Sequence, residues 1–327
     1  MRQENILEII NLVKKFPVEK GLFKKIVGYI NAVNNVNIFI RNGEVLGVVG
    51  ESGSGKTTLG KCVLKATEIT SGEILFRDAD NNVKNIVDLR KSELRLLRKE
   101  MNMIFQDPFS SLSPRMTINQ IISEPLRMQN EPKQEIQDRV NFLIEKVGLQ
   151  ISHLNRYPNS FSGGQRQRIG IARALATFPR LIIADEPVSS LDVSIQAQIL
   201  NLLKELKEEY KLTYIFISHN LNVIEHISDR VIVMYVGKIV EIGTTNQIFN
   251  SPKHPYTKAL LSALPHPFPS SEFKPEILQG EVANASNPPS GCNFHPRCKY
   301  STEICKNSTP EIKEIGNGHM SACFFSE

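Results

Sequence analysis

No stretch of the 327-residue chain approaches the ~18 to 20 consecutive apolar residues of a membrane-spanning helix. Residues 1 to 11 lack the apolar core of a secretory leader. These two absences lead us to expect a cytosolic chain that meets a membrane only through another protein. Charge of one sign is scarce as well. Lys and Arg number 39 against 34 Asp and Glu, a net charge of +5, which is small for this length and carries no footprint of nucleic-acid binding. Cysteine is nearly missing from most of the chain: of five, only Cys62 precedes residue 292. The apolar, charged and glycine-plus-proline fractions are those of an ordinary globular protein, long enough for one large domain with a smaller unit or for two domains.

What is present is organised around Gly50-Glu51-Ser52-Gly53-Ser54-Gly55-Lys56-Thr57-Thr58. It fits the G-x-x-x-x-G-K-[ST] phosphate loop, with an apolar run at 45 to 49 before it and a helical pattern after Lys56. That order is what phosphate binding needs. A strand delivers the loop, glycines let backbone N–H groups approach the oxygens, and the helix N-terminus adds partial positive charge. Lys56 is the candidate for the β- and γ-phosphates, and the Thr57 hydroxyl for Mg²⁺. The chain reads as a nucleotide-binding protein.

Residues 6 to 13 read as a first strand, 14 to 29 as a basic irregular stretch, and 32 to 40 as a half-buried strand of alternating pattern. Phe16 and Tyr29 are candidates to stack on a nucleotide base. Residues 93 to 98 suggest an exposed basic helix. From 114 to 154 the apolar spacing is helical, with Gly148 placed to end a helix. Ser162 is a good N-cap ahead of Gly163, Gly164 and Gln165, giving a second helix terminus suited to an anion. A hairpin is expected across Val236-Gly237-Lys238. Four short apolar strands end at Gly50, Gln106, Asp185 and His219, the signature of a mostly parallel sheet with its ligands beyond the carboxyl ends of the strands. We expect one α/β nucleotide-binding domain over about residues 1 to 250, with a helical insert near 108 to 172.

These motifs, in this order, resemble the ATP-binding subunits of ABC transporters over essentially the whole chain. The phosphate loop, a Q-loop at Gln106, the signature Ser162-Gly163-Gly164-Gln165, a Walker B strand ending in Asp185-Glu186, a D-loop Ser190-Leu191-Asp192 and a switch histidine, His219, carry the resemblance. Phe161 stands where the family more often has leucine. The resemblance implies a P-loop NTPase of RecA-like core with an antiparallel β subdomain and a helical insert. It also implies a head-to-tail dimer with two ATP molecules between subunits. In that scheme Asp185 holds Mg²⁺, Glu186 polarises the attacking water, and Gln106 senses the metal and γ-phosphate while its loop meets the membrane partner. His219 contacts the γ-phosphate. Ser162 and the Gly163 and Gly164 N–H groups close over the partner's γ-phosphate, and Asp192 belongs to the dimer interface.

Beyond residue 251 come His254-Pro255-Tyr256-Thr257, an apolar helix over 259 to 264, a proline-rich linker (Pro265, Pro267, Pro269), and Cys292, Cys298, Cys305 and Cys323. The C-x₅-C-x₆-C-x₁₇-C spacing differs from the C-x₂-C of zinc ribbons, and four clustered thiols in a reducing compartment favour a metal over disulfides. An iron–sulfur cluster or zinc suits all-thiolate ligation, with His295 and His319 as possible substitutes in a zinc site. The tail resembles the oligopeptide/dipeptide importer branch, in which four such cysteines hold a [4Fe–4S] cluster. The resemblance then implies a peripheral subunit on the cytoplasmic face of the membrane. Its partners would be two transmembrane permease subunits, a second ABC ATPase and, indirectly, an extracytoplasmic peptide-binding protein, with no nucleic acid. The same machine importing nickel or a sugar, or a non-transport ABC ATPase working on DNA or ribosomes, are the alternative readings.

Overall fold

The computed structural model describes residues 1–2, 4–21, 24–107, 109–264, 280–281 and 283–326. In chain order, strands β1 (Asn5–Lys20), β2 (Lys25–Arg41) and β3 (Val45–Val49) precede helix α1 (Lys56–Val63). Strands β4 (Ser71–Arg77) and β5 (Val83–Asn85), helix α2 (Lys91–Leu97) and strand β6 (Met101–Ile104) follow. Helices α3 (Ile118–Met128), α4 (Lys133–Lys146) and α5 (Gly163–Leu175) lead to β7 (Leu181–Asp185), α6 (Val193–Tyr210), β8 (Thr213–Ile217) and α7 (Leu221–Ile227). The chain continues through β9 (Arg230–Tyr235), β10 (Lys238–Thr244), α8 (Thr245–Asn250) and α9 (Pro255–Ser262). Last come α10 (Glu303–Asn307), β11 (Lys313–Gly316) and β12 (His319–Ser321). Pro265, Pro267 and Pro269 of the expected linker lie outside the described residues. These elements form two compact units. One comprises Met1–Leu7, Ile40–Val45 and Leu75–Ile217, the other Glu8–Phe39, Leu46–Ile74 and Ser218–Glu327.

In the first unit β6, β7 and β8 pair in parallel, with Ile104 opposite Ala184 and Ile183 opposite Ile215. β7 and β8 are buried along their whole length, so they carry continuous apolar runs rather than an alternation. The helices obey their expected periods. α3 buries Ile118, Ile121, Ile122 and Leu126, and α4 buries Ile136, Val140, Leu143 and Ile144. A capping box starts α3: the Thr117 hydroxyl accepts from the Gln120 N–H, and the Gln120 side chain accepts from the Thr117 N–H. Gly148, at φ 75°, ends α4 with its N–H on the Glu145 carbonyl. The helix expected at 93 to 98 starts at Lys91 and is only half exposed, since Leu94 and Leu97 are buried.

In the second unit β3 pairs in parallel with β9, and β9 returns antiparallel into β10. The expected hairpin turn is there. Val236 and Gly237 both have positive φ, 45° and 75°, which matches the right-handed twist of a strand pair. β10 also pairs with β12, and β12 with β11, so the tail adds two strands that its polar sequence does not announce. On β10, Glu241 is fully buried. Its carboxylate accepts the Lys253 and His254 N–H groups at 2.7 and 2.9 Å, and His319 Nε2 lies 2.7 Å from it.

One expectation is overturned here. Residues 14 to 20 and 25 to 29 are not irregular: β1 continues to Lys20 and β2 starts at Lys25. Most of these side chains face solvent, so the lysines and Pro17 hide any apolar alternation while backbone pairing extends the strands. Among the described residues, no helix is long and apolar enough to cross a membrane.

Candidate nucleotide site and cysteine pocket

The second unit holds the phosphate loop. β3 is entirely buried and is followed by Gly50, whose φ of 148° and surroundings exclude a side chain: a Cβ there would lie 2.2 Å from the Met234 carbonyl oxygen. Gly55, at φ 104°, is equally constrained, since a Cβ would meet the Ala32 carbonyl at 2.0 Å. Gly55 is the N-cap of α1 and brings no side-chain cap, so the partial positive charge of that terminus faces the loop with Thr57 and Thr58 in the first turn. Lys56 is buried. Its ammonium donates to the Gly50 and Glu51 carbonyls at 2.7 and 2.9 Å, and the Ser54 hydroxyl is 3.4 Å away. Ser54 is buried, whereas Ser52 and Gly53 are exposed. The Ser218 N–H donates to the Val48 carbonyl, which lays the segment carrying His219 beside the strand that delivers the loop; His219 itself is exposed. Phe16 and Tyr29 sit on β1 and β2 with exposed rings, and β2 abuts the loop at Ala32, three residues after Tyr29. The Lys14 ammonium lies 4.5 Å from the Phe16 ring centre.

The first unit brings Gln106 and Glu186 together. Gln106 Nε2 donates to Glu186 Oε2 at 2.8 Å, across 80 residues of sequence. Glu186 follows the buried Asp185 at the end of β7 and has a φ of 46°, rare for a residue other than glycine. Its N–H on the Ile217 carbonyl holds that conformation. Strain of this kind concentrates at functional sites. Ser162 caps α5 as expected. The Gln165 side chain accepts from the Ser162 N–H at 3.0 Å, so Gln165 orients the cap. Gly164 has a packing reason of its own: a Cβ would lie 2.5 Å from Ile195 Cγ2 on α6. Asp192 is the N-cap of α6, accepting from the Ile195 N–H at 3.0 Å and the Ser194 hydroxyl at 2.8 Å. The Ile195 N–H first, and Ser194 second, hold its carboxyl below the usual range.

Cys292, Cys298, Cys305 and Cys323 line one cavity of about 440 Å³ in the second unit. Burial pushes the Cys298 thiol up to about 11 and raises those of Cys292 and Cys323. Among the described residues, no three His, Cys, Asp or Glu side chains are gathered as a site for a metal ion. His254, fully buried, is pushed down to about 3 and stays neutral; its Nδ1 accepts the Tyr256 N–H at the start of α9. Sequence reasoning missed Tyr256 and Arg297 as residues that touch the phosphate loop. The Tyr256 hydroxyl accepts the Glu51 N–H at 2.9 Å, and Arg297 pairs with the Glu51 carboxylate. The available signals were the His-Pro-Tyr-Thr run for Tyr256 and the Phe-His-Pro-Arg-Cys run for Arg297.

A family model described as "ABC transporter" matches residues 33–189, and one described as "Oligopeptide/dipeptide transporter, C-terminal region" matches residues 240–305. The oligopeptide transport ATP-binding protein AppF of Bacillus subtilis is 50% identical over 98% of this chain and 97% of its own length. The chain belongs to the ATP-binding subunits of the oligopeptide/dipeptide ABC transporter family. The dipeptide transport ATP-binding protein DppF of Haemophilus influenzae is 45% identical to this ABC subunit over 98% of the chain and 96% of its own. Among solved structures, the dimeric, post-hydrolysis ATP-binding cassette MJ0796 with ADP and Pi matches it with a TM-score of 0.63 at 30% identity, covering 73% of this chain and 98% of the cassette. Part of the transporter complex cbiONQ, cbiO1 of Clostridium perfringens, matches at 0.63 and 28%, covering 76% and 92%. The ABC subunit therefore has the expected P-loop NTPase α/β fold and is an ABC ATPase.

Proposed function

We propose that the chain hydrolyses ATP to drive import of di- or oligopeptides, bound to the cytoplasmic face of the membrane through two permease subunits. The observation that carries this reading is near-full-length identity with peptide-transport ATP-binding proteins, tail included. The cassette would occupy about residues 1 to 250, with the tail from 251 to 327 as its extension. A second ABC ATPase completes the dimer, and an extracytoplasmic binding protein supplies the peptide.

Each residue then has a task. Lys56 and the loop N–H groups from Ser52 to Thr58 hold the phosphates, with Gly50, Gly53 and Gly55 giving the backbone its path. Tyr29 or Phe16 stacks on the adenine. By the family resemblance the Thr57 hydroxyl, Asp185 and Gln106 would hold Mg²⁺, which would neutralise charge on the phosphate oxygens. Glu186 accepts hydrogen bonding from the attacking water, oriented by Gln106, whose amide it already meets. His219 donates to the γ-phosphate. Ser162, Gly163, Gly164 and Gln165 close over the ATP of the opposing subunit, beside Asp192.

The four thiols line one cavity and would be the ligands of a [4Fe–4S] cluster, the group that the resemblance of the tail implies, with zinc as the alternative for all-thiolate ligation. Anaerobically purified chain should be brown, with about four irons per chain by elemental assay. A colourless chain with one zinc would reverse that assignment.

The function is tested by copurification of tagged Glu186→Gln chain from solubilised native membranes with ATP and Mg²⁺. Two polytopic subunits, a second ABC ATPase and a peptide-binding protein are expected. A nickel- or sugar-binding protein in that place would change the cargo, and ribosomes or DNA-repair proteins without membrane subunits would overturn the transporter reading.

A further inference from the structure

The tail grips one residue of the phosphate loop from two sides. The Arg297 guanidinium meets the Glu51 carboxylate through two parallel bonds, Nη1 to Oε2 at 2.7 Å and Nη2 to Oε1 at 3.0 Å. This is a fork-to-fork pair, the geometry in which arginine fixes a carboxylate's orientation as well as its charge. The Arg297 side chain is 6% exposed and that of Glu51 25%, so solvent screens the pair only in part. The main chain of Glu51 is held separately, by its N–H on the buried Tyr256 hydroxyl at 2.9 Å. The Glu51 carbonyl, in turn, is one of the acceptors of the Lys56 ammonium, at 2.9 Å. A continuous path of contacts thus runs from Arg297 and Tyr256 through the Glu51 peptide to Lys56.

The other ends of both grips are anchored at the cysteine cavity. Arg297 precedes Cys298 directly, and Phe294 lies between Cys292 and Cys298. The Phe294 ring sits 5.4 Å from the rings of both Tyr235 and Tyr256, and those two tyrosines are 4.7 Å apart. Phe294, Cys292 and Cys298 all line the cavity. The segment that walls the cavity is therefore the segment that supports the loop.

We propose that Arg297 and Tyr256 are positioning residues for ATP: they fix the Glu51 peptide so that Lys56 and the loop are preorganised for phosphate. ATP affinity then depends on the Cys292–Cys298 segment through its grip on Glu51. The inference rests on residues 50 to 58 being the phosphate loop. Preorganisation acts on binding, so its loss should raise Kd and KM while leaving kcat at saturating ATP nearly unchanged.

The test measures ATP affinity of the full-length chain by equilibrium dialysis, its ATPase parameters, and its melting temperature without nucleotide. Arg297→Ala should weaken ATP binding about 10-fold with kcat within about twofold, and Tyr256→Phe about 3-fold. Arg297→Lys, which restores the charge but not the fork, should recover part of the loss. Wild-type Kd and KM in Arg297→Ala and Tyr256→Phe would overturn the proposal. So would a fall of kcat and affinity together, in step with a lowered melting temperature and unrelieved by lysine. If Arg297→Ala does not fold, Tyr256→Phe decides alone, since it removes one hydroxyl: wild-type affinity overturns the proposal and a loss at unchanged melting temperature supports it. Lys56→Ala run alongside separates the two levels, because wild-type affinity in that variant would remove the phosphate-loop assignment itself.

Discussion

Glu186→Gln should bind ATP with wild-type affinity and turn it over at least about 100-fold more slowly, the scale of losing a general base. The substitution is nearly isosteric. Its amide oxygen can still accept from Gln106 Nε2, as the carboxylate does at 2.8 Å, and the positive φ at 186 is set by the backbone bond to Ile217 rather than by the charge. What disappears is the negative oxygen that draws a proton from water. Binding and chemistry therefore separate cleanly: titration of ATP should give an unchanged Kd, and phosphate release in the assembled complex should collapse. Turnover at the wild-type rate would remove Glu186 from the role of base.

Lys56→Ala should lose ATP binding by two orders of magnitude or more. Lys56 is buried and lies across the loop, on the Gly50 and Glu51 carbonyls and near the Ser54 hydroxyl. Hydrogen bonds to a charged group are worth about 1.5 to 3 kcal/mol each, and two to phosphate oxygens correspond to roughly 100-fold or more in affinity at about 1.4 kcal/mol per decade. Without the ammonium, the Gly50 and Glu51 carbonyls also lose a donor that holds the turn together. Arginine should not restore binding, because a flat guanidinium presents a fork where the loop accommodates a compact point charge. ATP retention on a filter, with and without Mg²⁺, is sufficient to check it. Wild-type retention by the alanine variant would contradict the assignment.

The parts of the structure that were legible in the sequence share one property: their cause is local. β3, β7 and β8 are continuous apolar runs because they are covered on both faces, and α3 and α4 carry their buried residues at helical spacing. Gly50, Gly55 and Gly148 mark backbone conformations that glycine adopts readily. What was not legible depends on partners far away in sequence. β11 and β12 are polar strands that exist because β10 offers an edge. The outer parts of β1 and β2 have few buried side chains to set a period. The Arg297–Glu51 pair spans 246 residues, and neither residue belongs to a motif that names the other. Gln165 and Asp192 show a different limit. Their motif membership was plain, while their local work as capping groups emerged from geometry.

Glu241 sets a condition on how this polypeptide can be shortened. Its carboxylate is completed by His319, 78 residues downstream, and by the backbone at the entry to α9. A version ending before β12 would keep the acid inside and remove one of its three partners, leaving part of its hydrogen-bonding capacity unfilled away from water. Deletion designs that retain only the catalytic motifs should therefore exchange position 241 for an uncharged residue in the same step.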